Sequence, residues 1–367
     1  MSTVARLRPA ARATPAARVA LLGTGVVGAA VVERYQRLQR SGVALPAFAW
    51  ISNSRVQVAC DGAPDAAIAQ ARSAPRRAGG VPPWAEGEGL RDGDIVIDAT
   101  ASDTVADWHP EWLLRGIHVV TANKLGAGAA LARAQAIADA QRSGARYGDA
   151  ATVGAGLPLL RQVRDLVAGG DRIHAVEGVL SGSLAWLLSR FDGRQPFSAL
   201  VREARDAGYT EPDPREDLSG EDVRRKLLIL ARAAGLSLER HDVAVAPLLP
   251  PALRDAADAR SAEALWPLLD PVLEAHRLAA ERSGGTLCFL GRFDADGARV
   301  GLHALPPSHP LAAGDGTDNR VAIFSDRYRT RPLVIQGPGA GAEVTAAALL
   351  DDALRSFGTT TANRGVH

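Results

Sequence analysis

The stretch RVALLGTGVVGAA, residues 18–30, decides the fold. Val19 to Leu22 is an unbroken apolar run, as in a strand covered on both faces. Gly23, Gly25 and Gly28 follow in GxGxxG spacing, and a helical pattern then runs to about Gln39. The spacing has a mechanical reason. A tight turn needs Gly23, a pyrophosphate reaches the backbone only where Gly25 lacks a side chain, and Gly28 lets the helix pack close to the strand. The helix N-terminus then points its unpaired N–H groups at the phosphates, and Thr24, Val26 and Val27 belong to the same candidate cofactor contact. A lone GxGxxG is a weak signal, but this one lies between a strand and a helix, as the mechanism demands.

Further strands follow at AFAWIS (47–52), DIVIDAT (94–100), HVVTANK (118–124) and ARYGD near 147, with a helical pattern over Ala129 to Arg142. Strands alternating with helices imply parallel βαβ units, hence an α/β, Rossmann-type doubly wound sheet over residues 18–149. Ligands of such sheets bind beyond the carboxyl ends of the strands, which here carry Thr100, Ala101 and Ser102, and Thr121, Asn123 and Lys124. The second strand ends in Ser52, Asn53, Ser54 and Arg55, without the carboxylate that grips the ribose of NAD. That pattern predicts NADP(H) as the preferred cofactor, with Arg55 on the 2'-phosphate and NAD(H) also admitted.

At 367 residues the chain is long enough for about two domains. Lys and Arg total 42 against 41 Asp and Glu, so there is no basic field for nucleic acid, and a small-molecule partner is expected. No run reaches the roughly 18 apolar residues of a membrane span. Cys60 and Cys288 share no CxxC spacing, which fits a reducing compartment, the cytoplasm. Residues 1–17, rich in Ala and Arg, read as a disordered tail without the apolar centre of a secretory signal.

The stretch GYTEPDPREDLSGEDVRRK, residues 208–226, gathers six carboxylates between Glu211 and Asp222 and sets Lys226 four residues later. Pro212 and Pro214 predict an irregular loop over Tyr209 to Asp217. Ser219 to Asp222 has the S-x-x-D form of a helix start, and Gly235 closes the helix. Asp222 and Lys226 then share one helical face, at i and i+4. Taken singly, these residues suit a cap, a solvated surface and an ordinary helix-supporting pair. Together they suit a loop that receives an ammonium-bearing substrate, with a lysine placed to pass a proton to or from an oxygen.

The run AxxxGYTEPDPxxDLSGxDxxxK over 204–226 resembles the signature of homoserine dehydrogenases. The resemblance extends to the Gly23–Gly28 turn, VVTANK (119–124), TVGAGLP (152–158), VLSGSLAWLL (179–188) and GPGAGAEVTA (337–346), and is similar in wording to the dehydrogenase part of bifunctional aspartokinase/homoserine dehydrogenases. It implies NAD(P)-dependent interconversion of L-homoserine and L-aspartate 4-semialdehyde, in threonine and methionine biosynthesis. It implies that Glu211 receives the ammonium with Asp217 beside it, that Asp222 orients the reacting hydroxyl or a water, and that Lys226 is the proton donor. Lys124 would stand near both cofactor and substrate as an alternative proton carrier. A monovalent cation, Na+ or K+, would rest on main-chain carbonyls of Ala150, Val153, Ala155 and Leu157, although Ala150 stands where relatives have an acidic residue. Ser181 and Ser183 would lie near the substrate, and Gly339 and Gly341 of GPGAG would approach the nucleotide.

The expected layout is a tail (1–17), a dinucleotide domain (18–149), an α+β substrate and homodimerisation domain (150–334) and a C-terminal segment (335–367) returning to the first domain. His174 and His309, without an evident partner in sequence, are expected to be structural. With no kinase segment seen ahead of the first strand, weak or absent inhibition by threonine is expected. A semialdehyde dehydrogenase that forms a covalent thioester is disfavoured, because neither cysteine lies in a suitable setting.

Overall fold

The computed structural model describes residues 16–363 apart from 78, 80, 87, 88 and 315. The expected tail therefore lies almost wholly outside the described residues; Ala17, at its end, is already buried.

The first sheet holds β1 (Arg18–Leu22), β2 (Ala47–Ser52), β3 (Gln57–Ala59), β4 (Ile95–Asp98), β5 (His118–Thr121) and β6 (Tyr147–Gly148). Their order is β3-β2-β1-β4-β5-β6, parallel throughout except for β3. Successive strand residues face opposite sides. Val19, Leu21, Ile95, Ile97 and Val120 enter one apolar core, and Ala20, Leu22, Val96 and Val119 another. The first core is covered by α1 (Val26–Arg40) and α2 (Pro64–Ser73), the second by a helical turn at His109–Leu114 and α3 (Leu131–Ala140). Double coverage accounts for the uninterrupted apolar reading of β1, β4 and β5. The chain runs outward to β2 on one side of β1 and to β4 on the other, and the crevice between those directions is where such sheets bind ligands.

The second layer contains α4 (Leu159–Ala168), β7 (Ile173–Val179), α5 (Gly182–Arg190), α6 (Phe197–Asp206), α7 (Glu221–Ala233), β8 (Val243–Val245), α8 (Leu269–Arg282), β9 (Thr286–Asp294), β10 (Gly297–Leu305), β11 (Asp318–Ser325) and β12 (Leu333–Pro338). Its strands are ordered β12-β11-β7-β9-β10-β8 and are antiparallel except for the β10–β8 pair. Helix α7 lies between the layers. Val223 and Leu227 pack on Gly291 of β9, where a Cβ would meet Val223 Cγ1 at 3.2 Å. On the other side Arg232 Nη1 donates to Ala127 O at 2.6 Å, and Gly128 leaves room for Arg225 and Ile229. A final helix, α9 (Ala342–Asn363), returns to the first sheet, with Ala346, Leu349, Leu350 and Ala353 buried in the same core as β1 and α1.

Two local expectations need correction. Pro212 and Pro214 do not make all of Tyr209–Asp217 irregular: Arg215–Leu218 is a single helical turn. Pro214 precedes it with φ −58, already preset for helix entry, and Leu218 is fully buried beneath it. Nor does Ser219 cap α7 through Asp222. The cap is Gly220 at φ +74, where a Cβ would lie 2.9 Å from Phe289 Cζ, so the helix starts one residue later. Ser219 Oγ instead accepts from Glu221 N at 3.2 Å, leaving Asp222 free to face the lysines. The other end is as expected: Gly235 at φ +91 closes a double turn, with Leu236 N on Ala231 O and Gly235 N on Arg232 O, both at 3.0 Å.

Candidate active site

At the turn after β1 the three glycines have separable reasons. Gly23 has φ +99, and a Cβ there would lie 2.5 Å from Ala99 O. A Cβ on Gly28 would lie 1.9 Å from Gly23 O. Gly25 faces open space, with nothing within 4 Å of where its Cβ would be, so the protein's own packing does not require glycine there. Helix α1 begins at Val26, 76% exposed, without a side-chain cap and without an acidic residue in its first turn, which leaves N–H groups and a positive dipole end for an anion. The turn is held from outside. Arg72 Nε donates to Thr24 O at 2.6 Å and its Nη2 to Gly25 O at 3.0 Å, while Asn53 Nδ2 donates to Thr24 Oγ1 at 3.1 Å and to Ala71 O at 2.6 Å. Arg55 is exposed and lends Nη1 to the carbonyls of Arg72 and Ala74 at 3.1 and 3.0 Å.

Beside this turn lies a cavity of about 490 Å3 between the carboxyl ends of β1, β2 and β4, lined by Gly23, Asn53, Trp84, Thr100, Ala101 and Ser102 among others. None of its described lining residues is acidic, and Arg77 is among them. The loop after β4 is tied to the loop after β5 by Asn123, whose Nδ2 donates to Ser102 O at 2.8 Å and whose Oδ1 accepts from Leu125 N at 3.1 Å. Lys124 lies between those two residues and opens a short helix, Leu125–Gly128.

Asp222 joins the two layers. Lys226 Nζ stands 2.8 Å from Asp222 Oδ2, and Lys124 Nζ, carried by the first sheet, stands 3.4 Å from Oδ1. Lys226 is 8% exposed, and its Nζ also donates to Leu180 O at 2.7 Å. Two of its three N–H donors are thus taken and one remains. Asp222 keeps 41% of its side chain open to water. Burial pushes its carboxyl up, but the adjoining ammonium groups, Lys226 foremost, outweigh this and hold it well below the usual carboxylate range.

The acidic loop closes the same cluster. Asp217 Oδ1 accepts from Ser183 Oγ at 2.6 Å and its Oδ2 from Glu211 N at 2.9 Å. Burial pushes the Asp217 carboxyl up. Burial, then the like charges of Asp217, Glu216 and Asp222, pushes Glu211 up against the opposing pull of Lys124. Asp213 is excluded from the cluster, since Arg215 Nη2 holds it at 2.6 Å. Ser181 Oγ caps α5 by accepting from Leu184 N at 3.3 Å, so its first role is structural.

The remaining expected residues are held by contacts of their own. A Cβ on Gly339 would fall 2.0 Å from the Asn319 carboxamide carbon, so Asn319 already accounts for that glycine; Gly341, at φ +119, opens into space ahead of α9. In the 150–157 loop Ala150 N donates to Asp352 Oδ2 at 3.0 Å, Ala155 adopts φ +47, and Leu157 O accepts from Leu159 N at 2.8 Å. The neighbouring Asp149 is taken by both terminal nitrogens of Arg164, at 2.6 and 2.7 Å. No group of three His, Cys, Asp or Glu side chains able to hold a metal occurs among the described residues, so a cation here would rest on carbonyl oxygens. His174 and His309 do have partners, Asp326 at 2.7 Å and Glu177 at 2.9 Å. Neither partner belongs to the lysine cluster.

A family model described as homoserine dehydrogenase matches residues 158–354, and one described as the NAD binding domain of homoserine dehydrogenase matches residues 23–147. The chain belongs to the homoserine dehydrogenase family. A Zea mays chloroplastic bifunctional aspartokinase/homoserine dehydrogenase is 42% identical over 264 residues, 71% of this chain but 29% of the maize protein, so the chain spans under a third of that relative. A homoserine dehydrogenase of Paracoccidioides brasiliensis is 39% identical over 274 residues, covering 71% of this chain and 73% of the fungal one. A hyperthermophilic archaeal homoserine dehydrogenase solved in complex with NADPH shares the fold at TM-score 0.70 and 20% identity, over 93% of this chain and 98% of that one. In this member of the family, the sequence reading missed Arg72, Trp84 and Asn319, and it placed Asn53 only at the end of its strand, without its bond to the glycine turn. Arg72 and Trp84 sit on helical segments that went unread, whereas Asn123 was already legible at the end of its strand, inside VVTANK.

Proposed function

We propose that this chain interconverts L-homoserine and L-aspartate 4-semialdehyde with a nicotinamide dinucleotide, in threonine and methionine biosynthesis. The observation that carries the reading is Asp222 flanked by Lys226 and Lys124 at the junction of a dinucleotide-type cavity and an acidic loop.

The bound dinucleotide supplies the hydride, which goes to the aldehyde carbon. Lys226 delivers a proton to the aldehyde oxygen as negative charge develops there, using the one N–H that neither Asp222 nor Leu180 O occupies. Asp222 holds Lys226 in place between turnovers, and orients the reacting hydroxyl or a water. Lys124, with a single longer contact to Asp222, is the less constrained of the two and serves first to steer anionic groups. Glu211 receives the substrate ammonium and Asp217 fixes the Glu211 backbone beside it. The cofactor contacts are Gly23 to Gly28 with Thr24, Val26 and Val27, the Thr100–Ser102 loop, Lys124 and the Gly339–Gly341 turn. NADP(H) is favoured over NAD(H), because β2 ends without a carboxylate and Arg55 and Arg77 lie near that end. A Na+ or K+ ion on the carbonyls of Ala150, Val153, Ala155 and Leu157 suits neutral oxygen donors better than a divalent metal would. A cytoplasmic homodimer fits two free buried cysteines and the family resemblance. No described helix is long and apolar enough to cross a membrane.

The test is initial-rate oxidation of NADPH, and separately NADH, with aspartate semialdehyde, for wild type, Lys226→Ala and Lys124→Ala. Turnover that collapses in Lys226→Ala with dinucleotide binding retained supports the reading. Nucleotide binding without turnover in the wild type would sink it.

A further inference from the structure

A buried polar chain that the proposed chemistry leaves unused runs beneath the Lys124 turn. Asp98, at the end of β4, and His109, at the start of the His109–Leu114 turn, have no exposed side-chain surface. His109 Nε2 lies 3.0 Å from Asp98 Oδ2, and its Nδ1 lies 3.1 Å from the Tyr147 hydroxyl. Because an ionised carboxylate only accepts, Nε2 carries a proton toward Asp98, and in the neutral imidazole Nδ1 then accepts from the tyrosine O–H. Burial, then the charges of Asp149 and Asp98, pushes the Tyr147 phenol well above its ordinary range, so it remains a donor. Such a chain is costly to bury unless every member is paired, and an apolar trio would fill the same space. Its use therefore has to lie in what its two ends touch.

Both ends touch the site. Asp98 Oδ1 accepts from Thr100 N at 2.9 Å and from Thr100 Oγ1 at 2.7 Å, and Thr100 Oγ1 accepts from Ser102 N at 3.2 Å. Those residues form the rim of the dinucleotide cavity. At the other end the Tyr147 hydroxyl presses on Gly126, where a Cβ would come within 2.2 Å of it and within 3.1 Å of His109 Nδ1. Gly126 is two residues beyond Lys124.

We propose that His109 is a positioning residue, holding the Thr100–Ser102 rim in register with the turn that carries Lys124 so that dinucleotide and ammonium stand at a fixed separation. The inference rests on the dehydrogenase reading. Its test compares His109→Phe, Tyr147→Phe and His109→Gln for kcat, for both KM values and for dinucleotide Kd read from tryptophan emission, since Trp84 lines the cavity. A displacement of about 1 Å costs on the order of 100-fold in rate, so His109→Phe is expected to lower kcat by roughly 10- to 100-fold and to weaken dinucleotide binding, with the semialdehyde KM nearly unchanged. His109→Gln, which can still bond at both ends, should recover part of the loss. A folded His109→Phe whose kcat and dinucleotide Kd both stay within roughly twofold of wild type would overturn the proposal. If that variant does not fold, Tyr147→Phe, which deletes one hydroxyl, decides on the same criteria. A wild type that turns over no semialdehyde removes the dehydrogenase reading, while the Kd shift still decides whether His109 sets the rim.

Discussion

Lys226 and Asp222 meet at 2.8 Å because they are four residues apart on one helix, and that much is written in the sequence. The third member, Lys124, comes from about a hundred residues earlier and meets Asp222 only because α7 packs between the two layers, which no local pattern announces. The two lysines are expected to separate on mutation. Lys226→Ala should lose on the order of 10²- to 10⁴-fold in kcat with dinucleotide Kd retained, as for removal of a general acid. Lys124→Ala should cost less in kcat and more in both KM values, and an equal fall in kcat for the two would reverse their assigned roles. Glu211 carries a pH signature. Its pKa is raised, so the carboxylate that would hold the substrate ammonium is lost at a higher pH than for an ordinary glutamate. The KM for homoserine should rise on acidification in wild type and be flat in Glu211→Gln. A group raised in the folded state favours folding below its unfolded pKa and loses that contribution as pH rises through the folded one. Glu211→Gln should therefore match or exceed the wild-type Tm at pH 7, and a lower Tm would mean that the carboxylate has a structural partner.

Among the elements, the parallel strands were legible because double coverage leaves them uniformly apolar, and α1 because glycine spacing marks its start. Helix α2 and strands β3, β8 and β12 were not, since they are short or lie at the margins of the layers, where tertiary packing outweighs local pattern. The start of α7 was misread for a related reason: Gly220 is dictated by Phe289, some seventy residues away. The glycine turn allows a clean separation of packing from binding. Gly28→Ala places a methyl 1.9 Å from Gly23 O, and is expected to unfold or distort the β1–α1 unit and lower Tm sharply. Gly25→Ala meets nothing within 4 Å and has φ −71, which alanine accepts. Its Tm should stay within a degree or so of wild type while dinucleotide affinity falls by an order of magnitude. Loss of Tm without loss of affinity in Gly25→Ala would take the pyrophosphate away from this turn.

On the scale of the whole molecule, the return of the chain to its first sheet was expected from GPGAG, but the reason differs. Gly339 yields to Asn319, and it is α9 that makes the return, through Ala346, Leu349 and Leu350 in the core of β1 and α1. Leu349 is fully buried, so Leu349→Ala should cost about 2–5 kcal/mol of stability, read by denaturant unfolding. The dinucleotide, which binds only the folded layer, should restore part of it. The same helix bears on synthesis. Domains generally fold from the N-terminus as they emerge from the ribosome, yet here the first sheet to appear lacks one wall of its core until residues after 341 have been made. Nascent chains arrested at 341 should leave the β1–α1 unit open to protease, and early protection there would show that the sheet closes without α9. The earliest part of this chain to be translated is thus among the last to be finished, and it waits with an apolar face uncovered for about the time that three hundred further residues take to arrive.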